Sequence, residues 1–175
     1  MLYDRVADIV IYTPPKCGSS SLHSYYTGWI HVIGPQFDTG VIEKHTTHLP
    51  YEAKENAECW MIVRNPYDRA SSLYRHWLRW CDEHGSFEFF LRNTVHVGEY
   101  SFLSSSLYQF YMKTERPPVR IIKLEAIEDE LQIHLPHDNK GLNADVKWTP
   151  YCIEFVRNWF AADFEHFDYP IERLP

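Results

Sequence analysis

The chain of 175 residues contains no run near the roughly 20 apolar residues needed to span a bilayer. Its opening, MLYDRVADIVIY, carries acids at Asp4 and Asp8 and too short an apolar run for a secretory signal. A cytoplasmic protein that meets no membrane is therefore expected. The four cysteines, Cys17, Cys59, Cys81 and Cys152, form no CxxC pair. That spacing gives no zinc or redox motif and reads as free thiols in a reducing compartment. Internal repeats and low-complexity linkers are absent too, which excludes a solenoid or a tethered array. What is present is 45% hydrophobic and 16% aromatic residues, enough for one sizeable core and too much for a disordered polymer. One domain over residues 1–175 is expected.

Charge is unevenly placed. The net charge is −7, and residues 124–175 hold 11 acids against 4 bases. The first 123 residues balance at 13 and 13. A globally acidic chain is a poor non-specific binder of nucleic acid, so none is expected as a partner. Within the balanced part, Arg64, Arg69, Arg75 and Arg79 face only Asp68. Such a local basic cluster suits one small anion.

The coarse pattern alternates strands and helices. Residues 7–13 (ADIVIYT) read as a buried strand stopped by Pro14 and Pro15. Gly18 and the serines then open a helix, and residues 58–64 (ECWMIVR) form a second strand ended by Asn65-Pro66. From Asp68, apolar residues at 70, 73, 74, 77, 78 and 81 share one helical face. Arg69, Ser72, His76 and Arg79 make a separate polar stripe. Residues 87–91 and 102–112 read as helices, 119–124 as a third strand and 125–131 as a short helix. Residues 135–147 form a polar loop, and a last helix begins near Pro150 with Phe155, Val156, Trp159 and Phe160 on one face. Trp77, Trp80 and Trp159 are expected in the core. This order argues for an α/β fold with a central parallel sheet flanked by helices. Ligands in such sheets bind beyond the carboxyl ends of the strands, where residues 14–21 and 64–69 lie.

Two segments carry chemistry. In PPKCGSSSL a Gly/Ser turn enters a helix, so backbone N–H groups and hydroxyls face an anion and Lys16 adds a cation. A capped helix start is the plainer alternative. The order is not GxxxxGK(S/T), because the lysine precedes the glycine; this argues against an ATP- or GTP-dependent phosphoryl transferase. In RNPYDRASSLY, Arg64 ends a strand and Ser72 follows on a helix. An arginine and a hydroxyl suit a phosphate dianion, against the alternative of a solvated basic face.

Together the two segments resemble the sulfotransferase superfamily that uses 3′-phosphoadenosine 5′-phosphosulfate (PAPS). PKCGSSSL is similar to its 5′-phosphosulfate loop. RNPYDRASSLY matches its 3′-phosphate motif, R-(D/N)-P-x-x-R-x-x-S-x-Y, at every fixed position. RIIKLEAIEDEL resembles a strand followed by E-x-L in carbohydrate-type members. FAADFEHFDY resembles their C-terminal DF…FGY, with Asp168 where glycine is usual. The resemblance covers residues 8–169 and implies a P-loop-containing three-layer fold forming a single sulfotransferase domain. It implies transfer of a sulfuryl group from PAPS to an acceptor hydroxyl, on a carbohydrate-like or other small molecule, with no metal. Lys16, Cys17, Gly18, Ser19, Ser20 and Ser21 would hold the 5′ end, with Lys16 also steadying the leaving side. Arg64 and Ser72 would hold the 3′-phosphate.

The resemblance implies a base from the segment EKHTTHLP. Heparan 2-O-type and many bacterial members carry a histidine there, which by that match is His45. An imidazole titrates near pH 6.5 and suits proton abstraction. His48 and Glu43 are the alternatives, and an exposed helix cap is the non-catalytic reading. His45-x-x-His48 would need a third ligand to bind zinc, and none is identified. A nucleotide-binding module without catalysis is the competing function; it would keep Arg64 and Ser72 but tolerate loss of Lys16 and His45.

Overall fold

The computed structural model describes residues 1–27, 30–31, 45–49, 53–79, 85–97, 104–136 and 145–172. The chain divides into two compact units, each made of two stretches: Met1–Arg64 with Gln109–Asn139, and Asn65–Tyr108 with Lys140–Pro175.

The first unit is built on a five-stranded sheet. Its strands are β1 (Leu2–Asp4), β2 (Ile9–Tyr12), β3 (Ile30–His31), β4 (Glu58–Val63) and β5 (Arg120–Lys123), in the order β3-β1-β2-β4-β5. β2 pairs parallel with β4 in the register Tyr12↔Met61, and β4 pairs parallel with β5 in the register Val63↔Lys123. These three are the strands read from the sequence, each shorter at one or both ends. Val10, Ile11, Met61, Ile62 and Ile122 are fully buried.

The expectation of a wholly parallel sheet is corrected by β1 and β3, which pair antiparallel on the β2 side. The β1–β2 hairpin has no glycine to announce it. Asp4 Oδ1 instead accepts from the N–H groups of Val6 (2.8 Å) and Ala7 (3.2 Å), and Asp8 takes the left-handed φ of 57°. An aspartate that bonds its own backbone and another that tolerates the left-handed region replace the usual turn residues. Helices of this unit are α1 (Ser19–Tyr25) and α5 (Ile127–Leu131), the latter preceded by a 3₁₀ turn, Leu124–Ala126.

The second unit is helical: α2 (Pro66–Trp77), α3 (Phe87–Asn93), α6 (Pro150–Trp159) and α7 (Ala161–His166). A further helix, α4 (Leu107–Met112), crosses the division between the units. α2 starts two residues before the expected Asp68. Asn65 caps it by accepting from Tyr67 N–H at 2.9 Å, and Pro66 occupies the first turn, where its missing donor costs nothing. It ends at Trp77 rather than continuing to 81, and Cys81 and Trp80 lie outside the described residues. α3 and α6 are capped in the same manner by Ser86 and Thr149. The core holds Tyr67, Leu73, Trp77, Phe90, Val156 and Phe160.

Two expectations fail in this unit. A helix over 102–112 is replaced by irregular chain at 104–106 and a helix from Leu107; residues 102 and 103 lie outside the described set. The start at Leu107 is set by a distant carboxylate: Asp163 accepts from the N–H groups of Leu107 (2.9 Å) and Tyr108 (2.8 Å). Trp159 is not a core residue. It is 38% exposed, with its indole N–H donating to the Ser104 carbonyl at 3.0 Å.

Candidate active site

Because β2, β4 and β5 are parallel, their carboxyl ends fall on one side of the sheet and lead into residues 13–18, Arg64 and Leu124. The loop after β2 is a tight turn. Cys17 N–H donates to the Pro14 carbonyl at 3.2 Å, with Pro15 second and Lys16 third at a φ of 66°. Proline second and a left-handed residue third is the combination of a type II turn, a place where glycine is the usual third residue. Lys16 thus holds a strained backbone, and Gly18 follows with a φ of 75°. That φ favours glycine, and a Cβ built on Gly18 would lie 2.7 Å from Leu124 Cδ1, so the leucine side chain would also have to move aside.

Gly18 is the N-cap of α1, and no side chain caps that helix. Ser19, Ser20 and Ser21 are its first three residues, so their N–H groups are among the four donors a helix start leaves without an intrahelical acceptor. The capped-start alternative is not what the fold uses. α1 has seven residues, so its dipole is small and most positive charge must come from Lys16 and Arg64. Cys17 is fully buried, its Sγ 3.7 Å from the Pro15 carbonyl. Only its backbone can meet a ligand.

Two further predicted residues converge on this loop. Arg64, half-buried just past β4, donates through Nη1 to the Lys16 carbonyl at 3.1 Å. One of its five donors thereby bonds the loop backbone; a planar cationic fork of this kind can also grip an anion. His45, also half-buried, places Nδ1 2.7 Å from the Thr13 carbonyl. A carbonyl oxygen can only accept, so Nδ1 carries a proton in this contact. His48 is 76% exposed and lies beside Glu115, not at the loop. Glu43 lies outside the described residues.

Ser72 belongs to the second unit, half-buried in the middle of α2. Its neighbours in RNPYDRASSLY have architectural work. Tyr67 is buried, donates its hydroxyl to the Ile171 carbonyl at 2.6 Å and accepts from Arg157 Nε at 2.9 Å. Tyr74 donates to the Gly85 carbonyl at 2.9 Å.

Arg69 corrects the polar stripe: it is fully buried, not solvated. Its Nη1 lies 3.9 Å from Asp163 Oδ2, and its guanidinium sits over the Phe160 ring at 5.3 Å. Burial pushes the Asp163 carboxyl above its usual range, with Arg69 and the bonds from Leu107, Tyr108 and Ser106 pulling the other way. No signal at residue 69 alone distinguishes it from Arg64. The helical period does, since residues 69, 70, 73 and 77 can share a buried face.

The second unit also carries a shallow cleft of about 380 Å³ along α6, lined by Tyr151, Glu154, Phe155, Asn158 and Trp159. The Phe155 and Trp159 rings are near-parallel at 5.7 Å. Among the described residues no cluster of three or more His, Cys, Asp or Glu side chains is placed to hold a metal ion. Among them, too, no helix is long and apolar enough to cross a membrane. Comparison with protein-family models, with curated proteins and with solved structures gave no match.

Proposed function

We propose that the chain is a PAPS-dependent sulfotransferase acting on a hydroxylated, carbohydrate-like or small acceptor. The observation that carries this reading is the convergence of Lys16, Arg64 and His45 on one glycine-bearing loop at the carboxyl end of the parallel strands. The P-loop-type three-layer arrangement is part of the same proposal. The donor set fits the ligand. It offers two cations, three serine N–H groups with their hydroxyls, and an imidazole held at Nδ1, matching a polyanion and a proton to be removed. When bound, PAPS supplies an activated sulfuryl group, and its transfer releases adenosine 3′,5′-bisphosphate.

Gly18, Ser19, Ser20 and Ser21 hold the 5′ end through backbone and hydroxyl donors. Lys16 neutralises charge that grows on the leaving oxygen, a contact stronger in the transition state than in the ground state. Arg64 holds the 3′-phosphate, and Ser72 is the residue the motif pairs with it. His45 takes the acceptor hydroxyl proton at Nε2 while the Thr13 carbonyl keeps Nδ1 protonated and the ring oriented.

The test is to incubate the protein with labelled PAPS and a panel of sugars, phenols and peptides. Label should pass to at least one hydroxylated acceptor, and His45→Ala should reduce the rate by roughly 100- to 10,000-fold with nucleotide affinity retained. Tight nucleotide binding with no transfer to any acceptor would replace this reading with a binding module.

A further inference from the structure

Residues 45–49 form neither α-helix nor strand, so the precision of the His45 ring has to come from individual bonds. One is the contact of Nδ1 with the Thr13 carbonyl. Two more bonds of the segment meet at Glu115. Its N–H donates to the Thr47 carbonyl at 2.9 Å, and its carboxylate accepts from Leu49 N–H at 2.8 Å. A single residue thus grips positions two apart, through backbone and side chain, which fixes orientation as well as distance. His48 Nδ1 lies 3.7 Å from the same carboxylate oxygen, and His48 N–H donates to Thr46 Oγ1 at 3.1 Å, tightening the turn.

Glu115 is itself firmly based. Thr114 donates its hydroxyl to the Tyr111 carbonyl at 2.7 Å. Arg116 Nη1 donates to the carbonyls of Ala57 (2.8 Å) and Lys54 (3.3 Å), just before β4. Val119 N–H donates to the Cys59 carbonyl at 2.8 Å. An unbroken set of bonds therefore runs from the sheet through Arg116 and Glu115 to the segment bearing His45.

We propose that Glu115 is a positioning residue for His45. The claim about catalysis rests on the sulfotransferase reading; the claim about position does not. Glu115 is 52% exposed, so its bonds contribute little to global stability. Their effect lies in placement, where a shift of about 1 Å can cost on the order of 100-fold in rate.

The experiment compares wild type with Glu115→Ala and Glu115→Gln, the glutamine keeping an oxygen that accepts from Leu49. On the protein alone, amide hydrogen exchange at Leu49 and the ring-nitrogen NMR signals of His45 are recorded. Glu115→Ala should speed Leu49 exchange by roughly tenfold or more and shift the His45 signals, while Glu115→Gln stays near wild type. In the transfer assay, Glu115→Ala should lower kcat by roughly 10- to 100-fold with unchanged affinity for adenosine 3′,5′-bisphosphate, and Glu115→Gln should restore most of it. Should Glu115→Ala not fold, Glu115→Asp, one methylene too short to reach Leu49, gives the same reading. Unchanged Leu49 exchange, or His45 signals that stay put when Leu49 is released, overturns the proposal. If both move as expected while wild type transfers no sulfuryl group, the function fails and the positioning of His45 stands.

Discussion

Two arginines, one in the sheet unit and one in the helical unit, are handled in opposite ways. In the first, Arg64 stays half-buried and bonds a backbone carbonyl. In the second, Arg69 is fully buried against Asp163 and Phe160, and Asp163 is committed to the amides that start α4. These two arginines lie five residues apart in one motif. The difference shows that burial separates an arginine committed to packing from one that stays partly exposed within the same motif. Arg69 with Asp163 also gives a physical reason for RNPYDR and the C-terminal ADF segment to occur in one chain: each completes the other.

Removing one partner of the buried pair should have the largest effect. Arg69→Ala leaves Asp163 without its counter-charge and should cost about 3–5 kcal/mol, read from urea unfolding midpoints. Arg64→Ala, at a half-exposed position, should cost no more than about 1 kcal/mol. Equal losses would break the contrast between the units.

A second pair sharpens the account of the loop. Lys16 supplies charge but occupies a left-handed position that suits glycine. Lys16→Ala and Lys16→Gly should both lose roughly 100- to 1,000-fold in turnover, as removal of one transition-state donor does elsewhere. Only Lys16→Gly should match or exceed wild-type thermal stability, because it relieves the backbone. Retained turnover in either variant would show that the charge is not used.

The smallest effect lies at the end of α7. Asp168 has a φ of 52°, and Tyr169 N–H donates to the Phe164 carbonyl at 3.0 Å, closing the helix in the manner of a Schellman motif. Asp168→Gly should raise the melting temperature by about 2–4 °C, the equivalent of about 1 kcal/mol for a chain of this length. Asp168→Ala should lower it. A neutral or unfavourable Asp168→Gly would mean that contacts of the aspartate outweigh the strain.

What could be read from the sequence follows from range. The three parallel strands were visible because each is a short apolar stretch bounded by proline, asparagine or a charged residue. The loop was visible because Lys16, Gly18 and the serines are adjacent in sequence. β1 was missed because its turn uses aspartate in place of glycine. α4 was misplaced because its start is set by Asp163, 56 residues away from Leu107. Leu124 over Gly18 and Glu115 under Leu49 are likewise contacts between distant segments, and no local pattern announces them. Arg69 falls on the polar stripe when its charge is given more weight than its place in the helical period.

The central claim is that the first unit holds a nucleotide bearing a 3′-phosphate and that Arg64 recognises it. Calorimetric titration with adenosine 3′,5′-bisphosphate and with AMP, on wild type and Arg64→Ala, tests it most directly. A charge-assisted contact should make the bisphosphate bind wild type at least about tenfold more tightly than AMP, and Arg64→Ala should erase most of that difference. Equal affinity of the two nucleotides for wild type, or a preference that survives Arg64→Ala, would contradict it.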